Sequence, residues 1–145
     1  MAIVIREAGP EDTPVIAVLI RELAEAVGES SSITETHVGE YLSFPGSHVL
    51  LAEEECQPIG LLSYAIRPNL YHAGNCALIE ELVVTVSHRS RGVGGVLVSE
   101  LLKRLAAAGC AEVSVSTMPG NEGARRFYRS HGFVDEYVYL ERHFA

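Results

Sequence analysis

The chain has no tryptophan, and its 145 residues hold only three cysteines, two methionines and 11 basic residues against 19 acidic ones. Cys56, Cys76 and Cys110 are odd in number and widely spaced, which argues against a disulfide framework or a zinc site and fits a reducing cytoplasm. The shortage of positive charge leaves a net charge of −8, so a polyanion such as nucleic acid is not an expected partner. No apolar run approaches the roughly 18 residues of a membrane-crossing helix. The first residues, MAIVIREAGPED, carry acids where a secretory leader carries bases. Repeats, linkers and low-complexity tracts are also missing. With 48% hydrophobic and 21% charged residues, the composition fits one globular cytoplasmic domain over residues 1–145.

What is present alternates in type. Residues 2–8 read as a β-branched strand. Asp12 is a candidate N-cap for a helix marked by Val15, Val18, Leu19, Leu23 and Val27 and ended by Gly28. A short helix is expected over 35–42, then strands over 47–55 and 59–67 around a Gln57-Pro58 turn. A loop over 68–75 leads into a strand over 77–86. Val93, Val96, Leu97, Leu101, Leu102 and Leu105 mark an amphipathic helix, 111–117 a strand, 121–131 a helix, and 133–144 a last strand. The order β-α-α-β-β-β-α-β-α-β predicts an α/β (α+β) fold, a mixed central sheet with helices on both faces.

Between the 77–86 strand and the leucine-rich helix stands RSRGVGG, residues 89–95. Glycine lets a ligand approach the backbone closely, and the free N–H groups at a helix start favour an anion. Gly94-Gly95-Val96 lacks the Lys-Ser/Thr of a Walker loop, and Leu97 stands where a dinucleotide fingerprint needs its third glycine. The pattern that fits is R-x-x-G-x-G, formed by Arg89, Gly92 and Gly94. An ordinary strand-to-helix turn with solvated arginines is the plain alternative. A second motif, NEGARRFYRSHGF over 121–133, has Asn121, Ala124, Phe127, Tyr128, Gly132 and Phe133 in the form N-x-x-A-x-x-F-Y-x-x-x-G-F. Its plain alternative is an Asn-capped helix with a core aromatic pair.

In their order and separation the two motifs resemble the GNAT superfamily of acetyl-coenzyme A-dependent N-acetyltransferases, over nearly the whole chain. The resemblance implies that Arg89, Ser90, Arg91, Gly92, Val93, Gly94 and Gly95 wrap the coenzyme pyrophosphate. It implies that the strand before the loop splays from its neighbour, so that backbone groups of Leu82, Val84 and Val86 pair with the pantetheine arm. A backbone N–H near Val83 or Val84 would then meet the developing oxyanion. Tyr128 takes the position of the general acid for the leaving thiol, and Asn121 lies near the pantetheine or caps its helix.

The acceptor is an amine, which arrives mostly protonated because an alkyl amine has a pKa near ~10.4. Glu80 and Glu81, in IEELVV, are the candidate bases. The resemblance to diamine acetyltransferases favours Glu80. Strand alternation sends the two to opposite faces unless a bulge intervenes, and one of them is expected in a surface ion pair. Tyr71 and His72 are candidates for the acceptor wall or for plain loop residues. The histidines show no metal spacing, so no metal is expected. No cysteine or serine in either motif has a nearby base, which points to direct transfer without an acyl-enzyme. The expected substrates are acetyl-CoA and a small cationic amine, and EYVYLERHF is a candidate pocket closure or homodimer seam. A catalytically silent acyl-CoA-binding regulatory module, or a protein N-terminal or lysine acetyltransferase, remains open from the residues alone.

Overall fold

Nine regular elements, apart from two single 3-10 turns, make up residues 2–144, the part of the chain that the computed structural model describes. They are β1 (Ile3–Glu7), α1 (Thr13–Ala26), α2 (Glu35–Ser43), β2 (Ser47–Glu54), β3 (Gln57–Asn69), β4 (Gly74–Val84), α3 (Val93–Ala107), β5 (Glu112–Val115) and α4 (Glu122–Ser130). The strands lie in the order β1-β2-β3-β4-β5. All neighbours are antiparallel except β4 and β5, which are parallel and joined through α3.

Strand alternation divides the core in two. On β2, Leu50 and Ala52 pack with Val93, Leu97, Leu101 and Leu105 of α3 and with Tyr128 of α4. Val49 and Leu51, one residue out of phase, pack with Ile16, Ala17 and Leu19 of α1 and Val38 of α2. Helices therefore cover both faces. The four-residue spacing of the α3 stripe keeps its side chains on one face, and each fully buried aliphatic contributes about 1.5–3 kcal/mol. That helix ends in a Schellman motif: Gly109, at φ +75°, donates to Ala106 O (3.1 Å), and Cys110 N–H to Leu105 O (3.0 Å).

Several local expectations are corrected. Asp12 does not cap α1 with its side chain. It is a buried carboxylate in a 3-10 turn that accepts from Arg6 Nη1 (2.9 Å), Arg6 Nη2 (2.8 Å) and Gly9 N–H (2.8 Å). The β2–β3 turn falls at Glu55-Cys56, both at positive φ (51° and 64°), the backbone of a two-residue hairpin, and not at Gln57-Pro58. The expected 68–75 loop shrinks to Leu70–Ala73, because β3 and β4 pair as far as Asn69 and Gly74.

The expected last strand over 133–144 is absent. Its β-branched and aromatic residues suit a strand, but a strand needs a neighbour. Glu136, held by Arg125 (2.8 Å) and Arg129 (2.5 Å), ties the start of the segment to α4.

Candidate active site

The β4 strand carries both halves of the site. In the β3–β4 register Ser63 faces Glu81 and Tyr64 faces Ile79, so Glu80 is an extra, bulged residue. The bulge breaks the alternation. Ile79 and Leu82 both face the α3 side, and Glu80 and Glu81 both face a cavity on the α1–α2 side. The expectation of opposite faces is therefore corrected. So is the surface ion pair: among the described residues neither carboxylate lies within salt-bridge distance of a cation.

That cavity encloses about 570 Å³. Its walls include Ile16, Ile20, Val38 and Leu61, its rim Ser31, Ser32 and His37, and no arginine or lysine lines it. Tyr41 Oη donates to Glu80 Oε1 at 2.8 Å. Ser63 Oγ donates to Glu81 Oε1 and accepts from Glu81 N–H at 2.9 Å. Burial raises the Glu81 carboxyl above the ordinary range, the Ser63 hydrogen bond opposes this, and the neighbouring Glu80 charge adds to it. Burial and Glu80 likewise push the Tyr41 phenol up. Neither Tyr41 nor Ser63 was singled out from the sequence. The one signal was Ser63 itself, a hydroxyl inside the apolar run LLSYAI, which must find a partner when buried.

Beyond Ile79 the strand loses its other neighbour, because β5 pairs only Glu112–Val115 with Cys76–Ile79. Thr85 N–H donates to Ile59 O at 2.9 Å. Counting back in twos, Val83 and Glu81 turn their backbone groups toward β3, and Leu82 and Val84 turn theirs to the open edge. Val84 O there accepts from Arg89 Nε at 3.0 Å. The splay is present, and the Val84 amide, not that of Val83, faces it. The Val83 side chain is buried in the α1–α2 core. Val86 lies in a 3-10 turn past the end of the strand, so it extends no strand edge.

At the end of that edge a second cavity of about 250 Å³ is lined by Val84, Arg89, Ser90, Gly92, Val93, Gly94, Gly95 and Phe127, with His88. Ser90 (φ +62°) and Gly92 (φ +80°) take left-handed backbone, which brings the start of α3 round to the cavity. Val96 N–H closes the first helical bond on Gly92 O (3.1 Å), so the amides of Val93, Gly94 and Gly95 have no helical acceptor before them. A side chain at Gly94 would project between Phe127 (3.6 Å) and Leu82 (3.8 Å). Such a cradle fits a diphosphate. Arg91 is not among its walls, because its guanidinium pairs with Glu54 at 2.9 Å.

Tyr128 is buried edge-on between Phe127 (5.0 Å) and Phe133 (5.5 Å), and no described residue hydrogen-bonds its hydroxyl. Burial pushes the phenol up to about 12, so it keeps its proton at neutral pH. Asn121 caps α4, accepting from Ala124 N–H at 3.0 Å, and lines neither cavity. Tyr71 and His72, expected as candidates for the acceptor wall, are outside the cavity that holds Glu80 and Glu81 as well. His72 Nε2 instead meets Glu112 at 2.6 Å, and with Cys76 they bring three potential metal donors within 4.8 Å of one another, which sequence spacing did not suggest.

The family model described as the acetyltransferase (GNAT) family matches residues 17–133. The aminoalkylphosphonate N-acetyltransferase of Salmonella typhimurium is 28% identical over 129 residues, 89% of this chain and 83% of that protein. Among solved structures, a putative acetyltransferase from Agrobacterium tumefaciens superposes with a TM-score of 0.86 at 27% identity, over 97% of this chain and 99% of that one. An aminoglycoside acetyltransferase from a soil metagenome, solved with sisomicin, gives 0.85 at 21% identity, over 99% and 95%.

Proposed function

Since the chain belongs to the GNAT family of acetyltransferases, we propose that it moves an acetyl group from acetyl-CoA directly to a small cationic primary amine. The bulge that turns both Glu80 and Glu81 into one cavity carries this reading. Two acids beside apolar walls, with no lining arginine or lysine, attract a cation and offer no guanidinium or ammonium to a carboxylate or phosphonate. This separates the expected acceptor from the aminoalkylphosphonate in the name of the Salmonella relative.

Acetyl-CoA supplies the activated acyl group. The amides of Val93, Gly94 and Gly95, with Arg89 and Ser90, hold its diphosphate, and the Leu82 and Val84 backbone holds its arm. Glu80, positioned by Tyr41, takes a proton from the ammonium, leaving an amine free to attack. The Val84 N–H faces the charge that develops on the carbonyl oxygen. As the C–N bond forms and the C–S bond breaks, Tyr128 gives its proton to the departing sulfur, and the second proton lost by the nitrogen passes through water to restore the phenol. Glu81, held by Ser63, stands beside Glu80 on the same cavity wall.

We further read the chain as a single cytoplasmic domain that works as a homodimer. Its few cysteines support the compartment, and the exposed apolar residues of its C-terminal segment support the pairing. The test of the activity is a release assay for free coenzyme A with purified protein and a panel of amines. Turnover with alkyl diamines, and none with aminoalkylphosphonates, is the expected result. Tight acetyl-CoA binding with no turnover on any amine would favour a silent binding module.

A further inference from the structure

Chemistry-bearing side chains also converge away from both cavities, at the other end of β4. His72, Cys76 and Glu112 each bring one donor atom within 4.8 Å of the other two, and none of them lines either cavity. Strand register makes two of them neighbours. β4 and β5 run parallel with Cys76 opposite Glu112, so these side chains share one face of the sheet. It is the face turned away from α3, because Ala77 and Val113, the next pair along, pack on the α3 side. Ala111 N–H donates to Asn75 O at 2.8 Å and fixes this register at its start. His72 arrives from the β3–β4 turn. Its N–H donates to Asn69 Oδ1 at 2.9 Å, and Ala73 takes left-handed backbone at φ +51° to carry the chain into β4. The Tyr71 ring stands perpendicular to the imidazole at 5.1 Å. So held, His72 Nε2 meets Glu112 at 2.6 Å.

A histidine–glutamate pair accounts for two of these residues and leaves beside them the thiol of Cys76, which is in no disulfide. A thiolate, an imidazole and a carboxylate together are a ligand set for zinc, whereas magnesium and calcium take oxygen donors. The thiolate and carboxylate also balance a divalent charge. Zinc bonds of about 2.0–2.3 Å set tetrahedral donors roughly 3.3–3.8 Å apart. Reaching that spacing takes side-chain shifts of about 1 Å, which the exposed His72 and Glu112 can make by rotation.

We propose that His72, Cys76 and Glu112 bind a zinc ion, with water in the fourth position, and that the ion ties the β3–β4 turn to the start of β5. Binding releases the thiol proton to solvent. The inference is independent of the acetyl-transfer reading, because its test reads metal and not turnover. Cobalt(II), the optical probe for a zinc site, is titrated into untagged, metal-free, full-length protein under a non-thiol reductant. The expected result is one-to-one binding with sulfur-to-cobalt charge-transfer absorption, which added zinc abolishes. Cys76→Ser should lose the absorption and Cys56→Ser should keep it. His72→Ala and Glu112→Gln should each weaken zinc affinity at least ~10-fold, the scale on which even the partners of metal ligands act. Circular dichroism verifies that each variant keeps its fold. Zinc should also slow amide exchange over Leu70–Ala73 at least ~10-fold in the wild type and not in Cys76→Ser. No charge-transfer absorption in the wild type, or the same absorption in Cys76→Ser, overturns the site. Wild-type zinc affinity in His72→Ala or in Glu112→Gln overturns the three-donor arrangement. Bound zinc with unchanged exchange in the turn overturns the tie to β5.

Discussion

The two cavities flanking β4 are built from different materials. The one beside α3 is made largely of backbone: glycines, first-turn amides and the open edge at Leu82 and Val84. The one beside α1 and α2 is made of side chains: two carboxylates, a phenol and a hydroxyl among aliphatic walls. A diphosphate is the same group in every acetyl-CoA, so a rigid backbone cradle can serve it. An acceptor differs between enzymes, and side chains can be exchanged without disturbing the sheet. Substitutions on the two sides should therefore separate cleanly in what they damage.

The largest expected effect is on the backbone side. Gly94→Glu puts a carboxylate into the diphosphate space, where a Cβ meets only ordinary contacts of 3.6 Å or more, so the fold should survive. Calorimetry should show acetyl-CoA affinity down by at least ~100-fold, about 2.7 kcal/mol. Unchanged affinity would remove the cradle assignment. Gly92→Glu is a poorer probe, because φ +80° strains any side chain there.

Next comes Tyr128→Phe, which keeps the ring packing and removes the acid. The transfer rate should fall ~10²-fold or more with cofactor affinity nearly unchanged. Wild-type turnover would hand the proton to water.

On the acceptor side, Glu80→Gln should raise KM for the amine by about tenfold, the loss of one charged contact of roughly 1.4 kcal/mol. The acid limb of the pH–rate profile should flatten, and acetyl-CoA titrations should look like wild type. If Glu81→Gln does this instead, the two carboxylates have exchanged roles.

The smallest effect concerns stability. Glu81 has a raised carboxyl pKa in the fold, so the folded state holds its proton more tightly than the unfolded chain. Stability from this group is then greatest below the ordinary carboxylate pKa and is lost as pH rises through the folded value. Glu81→Gln should raise Tm at neutral pH, by an amount that shrinks as the pH is lowered toward the ordinary carboxylate range, which thermal melts across pH will show. Asp12 has the opposite sign: Arg6 holds it low, so its contribution is full above the ordinary carboxylate range and falls away in acid.

The same contrast decides what was legible from the sequence. Glycines at 92, 94 and 95 and the Asn121–Phe133 run are local in sequence, and the cavity they form is local in space. The apolar periods of α1 and α3 placed the helices correctly for the same reason. The acceptor cavity draws Tyr41 from α2, Ser63 from β3 and Glu80 and Glu81 from β4, three elements whose approach is set by register. A bulge is a property of a strand pair, so neither strand announces it alone. The last segment departed from its expected strand for a related reason: its residues have strand character, but a strand also needs a paired neighbour, and residues 133–144 have none in the fold.

The bulge also has a genealogical side. With Glu80 removed, Ile79, Glu81, Leu82 and Val83 would alternate regularly, each keeping the face it has now. Glu80 thus has the character of an insertion, a residue added to a regular strand without reassigning its neighbours. No series of point substitutions retraces that step, but a single-codon deletion does. A library of such deletions across 78–82 should yield, at position 80, a folded protein with one carboxylate in the cavity and a straight ladder beside it. Acceptor preference along this strand can then change in length as well as in letters.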